Sequence, residues 1–424
     1  MKYISRIHHL LVAAAITLAT QLPYNALAED YLWPEFRGPG KQGHASARNV
    51  PTEWSNTKNL DWKIKTGLGG WASPVVSHEN IILAGSKEEG DQLTLHVASF
   101  KLSDGSLNWE KQVFAPSADI VKQRHSKNSH ASCTPILADG KIYAHFGHFG
   151  TCALDLETGN ILWKKVIEYK PVHGNGGSPA LVEGLLVFSV DGNSDPAVYA
   201  LNADTGDIAW KTPRHSSASR KFSFSTPLIV EVNGQKQIIS PGSGMVGAYA
   251  VKDGNLIWQV QYGEGYSVIP RPILHNQKLF IGTGYNKPNL LAIRLTGQTG
   301  DLTDTHIAWE TDKSAPHTPS MIAVNGGLYF ISDNGILTCA DPDTGDVRWS
   351  ERIRGNYSAS PVAVDNHIYF ISESGKVTII EANTQAYTVV AENDLEERTL
   401  ASPAVWDDTL LIRTQEYLWK ITKH

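Results

Sequence analysis

Sulfur is scarce in this chain, with three cysteines and three methionines in 424 residues. Cys133, Cys152 and Cys339 are odd in number, and no two are adjacent. Their spacing fits neither a zinc cluster nor a Cys-x-x-Cys-His haem attachment. In the strand layout derived below, Cys133 lies on an inner strand and Cys152 two strands further out. Normal strand spacing puts such a pair about 9–10 Å apart, too far for a disulfide, so the cysteines read as small buried thiols. Charged residues are only 19% of the chain, and the net charge of −6 gives no general excess of cations to neutralise nucleic-acid phosphates. Beyond residue 28, no run is apolar enough to span a bilayer.

The first 28 residues read as an export leader. Lys2 and Arg6 give a basic start, Leu10 to Ala19 a short apolar core, and Ala26-Leu27-Ala28 a small-residue cleavage site that leaves Glu29 first. The expected location after cleavage near Ala28 is periplasmic or extracellular. Residues 29–58 form an arm, expected to pack across the disc described below.

Glycine (36) and tryptophan (12) are plentiful, and they recur together. Ala203 to Trp210 reads ADTGDIAW, and LSDGSLNW, LETGNILW, VKDGNLIW and PDTGDVRW end at Trp109, Trp163, Trp258 and Trp349. In all five the glycine stands four residues before the tryptophan. A glycine after Asp or Thr takes the positive-φ position of a hairpin turn. In the strand that follows, alternation would put Ile208 and Trp210 on one face. A large apolar residue at a fixed place in every unit predicts one packing surface between units, repeated around the molecule.

A second marker gives the count. Pro74, Pro135, Pro179, Pro227, Pro272, Pro319, Pro361 and Pro403 each open an apolar run, with gaps of 61, 44, 48, 45, 47, 42 and 42 residues. Ser or Thr precedes seven of them, and Arg271 precedes Pro272. Proline is tolerated at the first residue of a strand. A tight turn and a second apolar run follow, so each unit reads as four short strands, A to D. Eight such units of 40–50 residues predict an all-β, eight-bladed β-propeller of four-stranded antiparallel blades over 59–424. The last unit has room for three strands. Asn59 to Lys63 is expected to supply its missing outer strand, with Trp62 in the D-strand place, closing the ring. Blade 5 carries an insertion between Gly300 and Trp309, and blade 7 has Val389-Val390 instead of tryptophan.

These Thr-Gly-x-x-x-Trp units resemble the tryptophan-docking repeats of pyrroloquinoline-quinone (PQQ) propellers. That superfamily includes quinoprotein alcohol dehydrogenases and the outer-membrane assembly lipoprotein BamB. The opening Trp33-Pro34-Glu35-Phe36-Arg37-Gly38-Pro39 is similar to that of a group of exported PQQ-like propellers. The resemblance implies architecture and little chemistry. The dehydrogenases carry adjacent cysteines over the quinone, and a calcium held by acids and amides. Neither mark is met: Asp191-Gly192-Asn193-Ser194-Asp195 is an incomplete calcium-loop spacing that reads as a turn. No cofactor is therefore assigned, although the resemblance admits PQQ. A BamB-like lipoprotein anchor would need a cysteine near the cleavage site, and none is there.

The D-to-A connectors emerge on one face of the disc, where loops from all blades converge into a mouth. They are rich in polar and aromatic side chains. The candidate ligand-binding residues are Trp71, His130, His173, Asn175, Arg220, Lys221, Tyr266, Arg271, His317, Tyr357 and Arg398. Connectors entering blades 1 to 4 hold thirteen Lys and Arg against three acids, and those entering blades 5 to 8 hold five against eight. A basic sector predicts an anionic ligand, either a sulfated or carboxylated glycan or a phosphate-bearing small molecule. Solvated loop charge is the plainer explanation of the same count. His130, His173 and His317 could act as acids, bases or metal ligands only if the fold brought them together. The expected function is ligand or partner binding at this mouth. The alternatives are a quinoprotein-type oxidoreductase or glycan-active enzyme, and a BamB-like scaffold for envelope proteins.

Overall fold

The computed structural model describes residues 32–117, 124–286 and 288–423. The leader (1–28), its cleavage site and residues 29–31 of the arm lie outside the described residues. No helix among those described is long and apolar enough to cross a membrane.

Eight sheets are present, each built on four antiparallel strands. In blade 3, Ala180–Val182, Leu185–Val190, Ala197–Asn202 and Ile208–Pro213 pair in order as strands A to D. Strands A of blades 1 and 2, 3 and 4, 5 and 6, and 6 and 7 touch one another at the hub. The last sheet runs Leu60–Lys65, Tyr417–Thr422, Thr409–Arg413, Ala404–Trp406, with Trp62 opposite Lys420. The early strand thus completes blade 8 from outside, as its sequence predicted.

The repeated tryptophan docks on the next blade. Trp163 Nε1 donates to Ala203 O at 2.8 Å and Trp210 Nε1 to Val251 O at 3.0 Å. Trp309 and Trp349 do the same to Pro342 O and Asn383 O. The turn glycine covers the ring. Gly159, Gly206, Gly254 and Gly345 all have positive φ, and a Cβ on any of them would meet the neighbouring indole at 2.4–2.7 Å. Their lack of a side chain therefore serves both the turn and the close approach.

One local expectation fails. Strands C and D are out of step by one residue just before the tryptophan, so Leu201 faces Ile208 while Ala200 faces Trp210. This β-bulge breaks the alternation. Ile208 is 46% exposed and Trp210 8% exposed, on opposite faces instead of one. The same shift precedes Trp62, Trp163, Trp258, Trp309 and Trp349.

The two irregular units have physical explanations. In blade 5, Gly300–Asp301 adds to blade 4 as a short parallel fifth strand, and a helical turn, Thr303–His306, follows. The insertion thereby covers Trp258, where the usual docking turn would lie. Blade 7 needs no docking tryptophan because blade 8 takes strands C and D from opposite ends of the chain and has no C–D turn to receive one. Trp54 of the arm instead joins the core of blades 7 and 8, its backbone N–H bonded to Asn393. The proline marker slips once. In blade 6 the place before strand A is held by Ser320, which accepts from Arg271 N and donates its own N–H to Ser360 Oγ. Met321 therefore stands in the proline slot, and Pro319 lies two residues early.

The arm closes the hub from the A–B side. Trp33 pairs with Val76 of blade 1, and Pro34 O accepts from Leu137 of blade 2. Arg271 of blade 5 donates to Phe36 O and to the Glu35 carboxylate. Arg37 donates to Met321 O at 2.8 Å. His44–Ala45 then lies parallel to Val362–Val364 of blade 7, and Arg48 N–H reaches Asp407 O of blade 8. The expectation that the arm packs across the disc is thereby given a path.

Candidate functional site

With one end sealed, the hub is a blind cavity of about 550 Å³ that opens on the D–A face. Phe36 of the arm lines it. Above lies a girdle of pre-strand hydroxyls. Ser73 N–H donates to Thr134 Oγ1, Thr134 N–H to Ser178 Oγ, and Ser178 N–H to Thr226 Oγ1, all within 3.1 Å. Ser320, Ser360 and Ser402 continue it on the other side. The hydroxyl two residues before strand A is thus an inter-blade clasp in blades 2, 3, 4, 6, 7 and 8, and it also gives the cavity a polar collar.

Above the collar the wall is aromatic. His125, His173, Phe222, Tyr266, Tyr285 and His317 form an unbroken arc, successive ring centroids standing 5.2–5.6 Å apart. Arg220 lies over the Tyr266 ring at 4.7 Å and donates to its hydroxyl at 3.1 Å. Such a cation–π contact fixes the guanidinium at the rim while leaving donors for a ligand. Burial, then His125, then Arg220 push His173 below the usual histidine range, so it stands neutral at neutral pH. On the facing rim, Lys127 reaches Glu373 at 2.9 Å and Asp333 at 3.6 Å. Asp333 is further held by the N–H groups of His317 and Thr318 and by the Thr318 hydroxyl.

Of the eleven sequence-derived candidates, the fold brings Trp71, His173, Arg220, Tyr266 and His317 into the cavity wall. Arg398 stands over Trp71 at 5.5 Å in an adjoining pocket. The other five lie elsewhere. Arg271 is fully buried and ties the arm to blades 4 and 5. Tyr357 is fully buried and bonds to Arg354 O. Asn175 braces the turn of blade 2 through Phe146 O and bonds the Tyr169 hydroxyl. His130 packs edge-on against Phe149 and stands 3.7 Å from Glu88, outside the cavity wall. Lys221 is exposed and outside the wall.

The basic sector also disperses in three dimensions. Lys63, Lys164 and Lys211 lie over rings of the outer strands, Lys65 pairs with Glu416, Arg124 with Glu88, and Arg214 is buried against Asp191. Lys122 lies outside the described residues. Of Lys and Arg, the cavity wall carries Lys127 and Arg220. Sequence reasoning missed Tyr285, Asp333 and Glu373 because they sit in B–C turns. Strands A and C run the same way, so B–C turns open on the same face as the D–A connectors, and that signal was present in the strand order.

A family profile described as outer membrane protein assembly factor BamB, the PQQ-like repeat family, matches residues 45–176, 152–351 and 301–421. The chain belongs to this BamB-type family of PQQ-like propellers. Within it, the BamB of Xanthomonas campestris pv. campestris is 26% identical over 274 residues, 51% of this chain and 63% of that protein. The matches span less than two thirds of the length of the first curated relatives, 57% for two of them. The crystal structure of BamB from Moraxella catarrhalis superposes with a TM-score of 0.60 at 14% identity, covering 86% of this chain and 97% of that one. A europium-containing methanol dehydrogenase gives 0.63 at 13% identity, covering 91% and 90%. These structural likenesses are likenesses of fold.

Some propellers of this fold are quinoprotein dehydrogenases, but the donor set of this wall does not fit a quinone held with calcium. No group of three or more acidic, histidine or cysteine side chains among the described residues could hold a metal. Asp191, first residue of the calcium-like stretch, is buried and taken by Arg214 at 2.9 Å and Ser223 at 2.6 Å. The cavity carboxylate Asp333 already has three donors, and the three cysteines are separate, free and buried.

Proposed function

We propose that this chain is an exported binding protein of the cell envelope that takes an anionic saccharide in the D–A cavity. The observation carrying this reading is the unbroken arc of six rings flanked by Arg220 and Lys127. Aromatic faces pack on the apolar faces of sugar rings, the hydroxyl collar suits their polar edges, and the planar Arg220 fork suits a carboxylate or sulfate. A phosphate-bearing small molecule would use the same fork and less of the arc. Calorimetry with a heparin-derived disaccharide tests the reading. Binding that survives millimolar inorganic phosphate and is lost in Arg220→Glu is expected; equal binding by that variant would sink it.

A second reading follows from family membership. Relatives are named outer membrane protein assembly factors. An envelope protein could insert an extended segment at the same mouth. Affinity capture from solubilised envelope, with wild type and Tyr266→Ala compared, separates this reading from the first: a protein retained by wild type and lost in the variant supports it.

A further inference from the structure

The stretch 124–130 crosses the mouth as a bridge pinned at both ends. His125 N–H and the Asn128 amide both donate to His173 O, at 3.3 and 2.9 Å. Lys127 is held by Glu373 and Asp333, and Arg398 donates to Ser126 O at 3.2 Å. The bridge parts the mouth in two. One compartment is the aromatic cavity. The other, about 330 Å³, lies beside blades 8 and 1 and carries Arg124, Arg398, Glu88 and Gln415. Trp71, His125 and Asn128 border both.

We infer that one extended ligand occupies both compartments: an acidic oligosaccharide with rings along the aromatic arc and Trp71, and a charged substituent between Arg124 and Arg398. The inference rests on the saccharide reading above and adds length and a second anion subsite to it. Arg124 is held by Glu88 at 3.1 Å and Arg398 by Trp71 and Ser126, so both guanidiniums are positioned before a ligand arrives. Each carries five donors in a planar fork suited to a carboxylate or sulfate. Two guanidiniums face the one carboxylate of Glu88 in this compartment, which leaves it cationic. A neutral sugar would leave these forks unused, and an acidic peptide would leave the ring faces unused. Linking two subsites by one ligand raises affinity without any new contact at the first.

Calorimetry on the full chain with heparin-derived di-, tetra- and hexasaccharides reads this directly. Affinity is expected to rise about tenfold or more from disaccharide to hexasaccharide. The double variant Arg124→Gln, Arg398→Gln should lose that gain, binding disaccharide and hexasaccharide with the same affinity within about twofold, whereas Tyr266→Ala should weaken every length. A flat length series with a bound disaccharide, or a gain that survives in the double variant, overturns the two-compartment ligand and leaves the saccharide reading standing. No binding at any length overturns both. Hexaglutamate that binds as tightly as the hexasaccharide and loses affinity equally in the double variant overturns the assignment to sugars. Should the double variant fail to fold, Arg398→Lys, which keeps the charge and loses the fork, must still reduce the gain.

Discussion

The rim and the hub of this propeller are built on opposite plans. At the rim, blade after blade repeats one contact, an indole under the next blade's turn glycine. Above the hydroxyl collar of the hub no such repeat holds: the wall takes a tryptophan from blade 1, imidazoles at the entries to blades 2, 3 and 6, a phenylalanine and an arginine at blade 4, and tyrosines at blade 5. A contact made many times must be spelled the same way each time, so it surfaces as a sequence period. A contact made once has no such obligation. Stability therefore concentrates in the repeated part and chemical individuality in the unrepeated part.

The sharpest way to break this contrast is at the rim. Gly254→Val adds a branched side chain at φ +71 where a Cβ would already lie 2.4 Å from the Trp210 ring. It should prevent recovery of folded protein. Trp210→Ala, which empties the same dock, should cost about 3–5 kcal/mol in urea unfolding. If either variant melts like wild type, the docking contact does not hold blades 3 and 4 together.

Acid should strike between rim and hub. His145 is buried against Phe188, its ring centroid 4.2 Å from that of the phenylalanine, and its Nδ1 meets Thr151. Burial, with a smaller push from His148, lowers its pKa to about 3. The unfolded chain protonates this histidine near 6.5 and the native chain does not, so the unfolded state binds the extra proton between those values. Stability should fall by about 4 kcal/mol as pH drops from about 6.5 to about 3, and His145→Gln should flatten that slope. Urea midpoints across this range provide the check; equal slopes in the two proteins would remove His145 as the cause.

Hub substitutions should separate binding from stability. Tyr266→Ala should change stability by less than about 1 kcal/mol, as a partly exposed side chain outside the core clusters, while weakening the disaccharide about tenfold. Lys221→Glu, beside Arg220 in sequence but outside the wall, should leave both unchanged within error. A loss from Lys221→Glu as large as that from Arg220→Glu would mean that summed sector charge, and not the shaped wall, governs binding.

The same contrast explains what could be read in advance. Blade number, the closing strand through Trp62 and the inter-blade tryptophan were legible because they recur or answer a missing element. Ile208 was misplaced because a one-residue bulge reverses the face and leaves no mark in composition. Arg271 and Tyr357 looked like mouth residues from their connector positions, yet both side chains turn inward and are fully buried. Position along a loop does not say which way a side chain points. The arm's path depends on backbone groups from blades far apart in the chain, which no local pattern encodes. Phe36 was visible as part of an opening motif, but its place in the cavity follows only from that path.

The pairing of Leu60–Lys65 with Tyr417–Thr422 carries a consequence for the order of events during synthesis. A strand made before the seven complete blades finds its partner in one made after them. Until residues 417–422 arrive, blade 8 lacks its frame, the arm has no complete circle to span, and Trp62, which lies against Gly105 of blade 1, is held from one side alone. The ring therefore gains its last and most widely shared contacts in a single late step, and a nascent or truncated chain presents apolar strand edges that the finished molecule never shows.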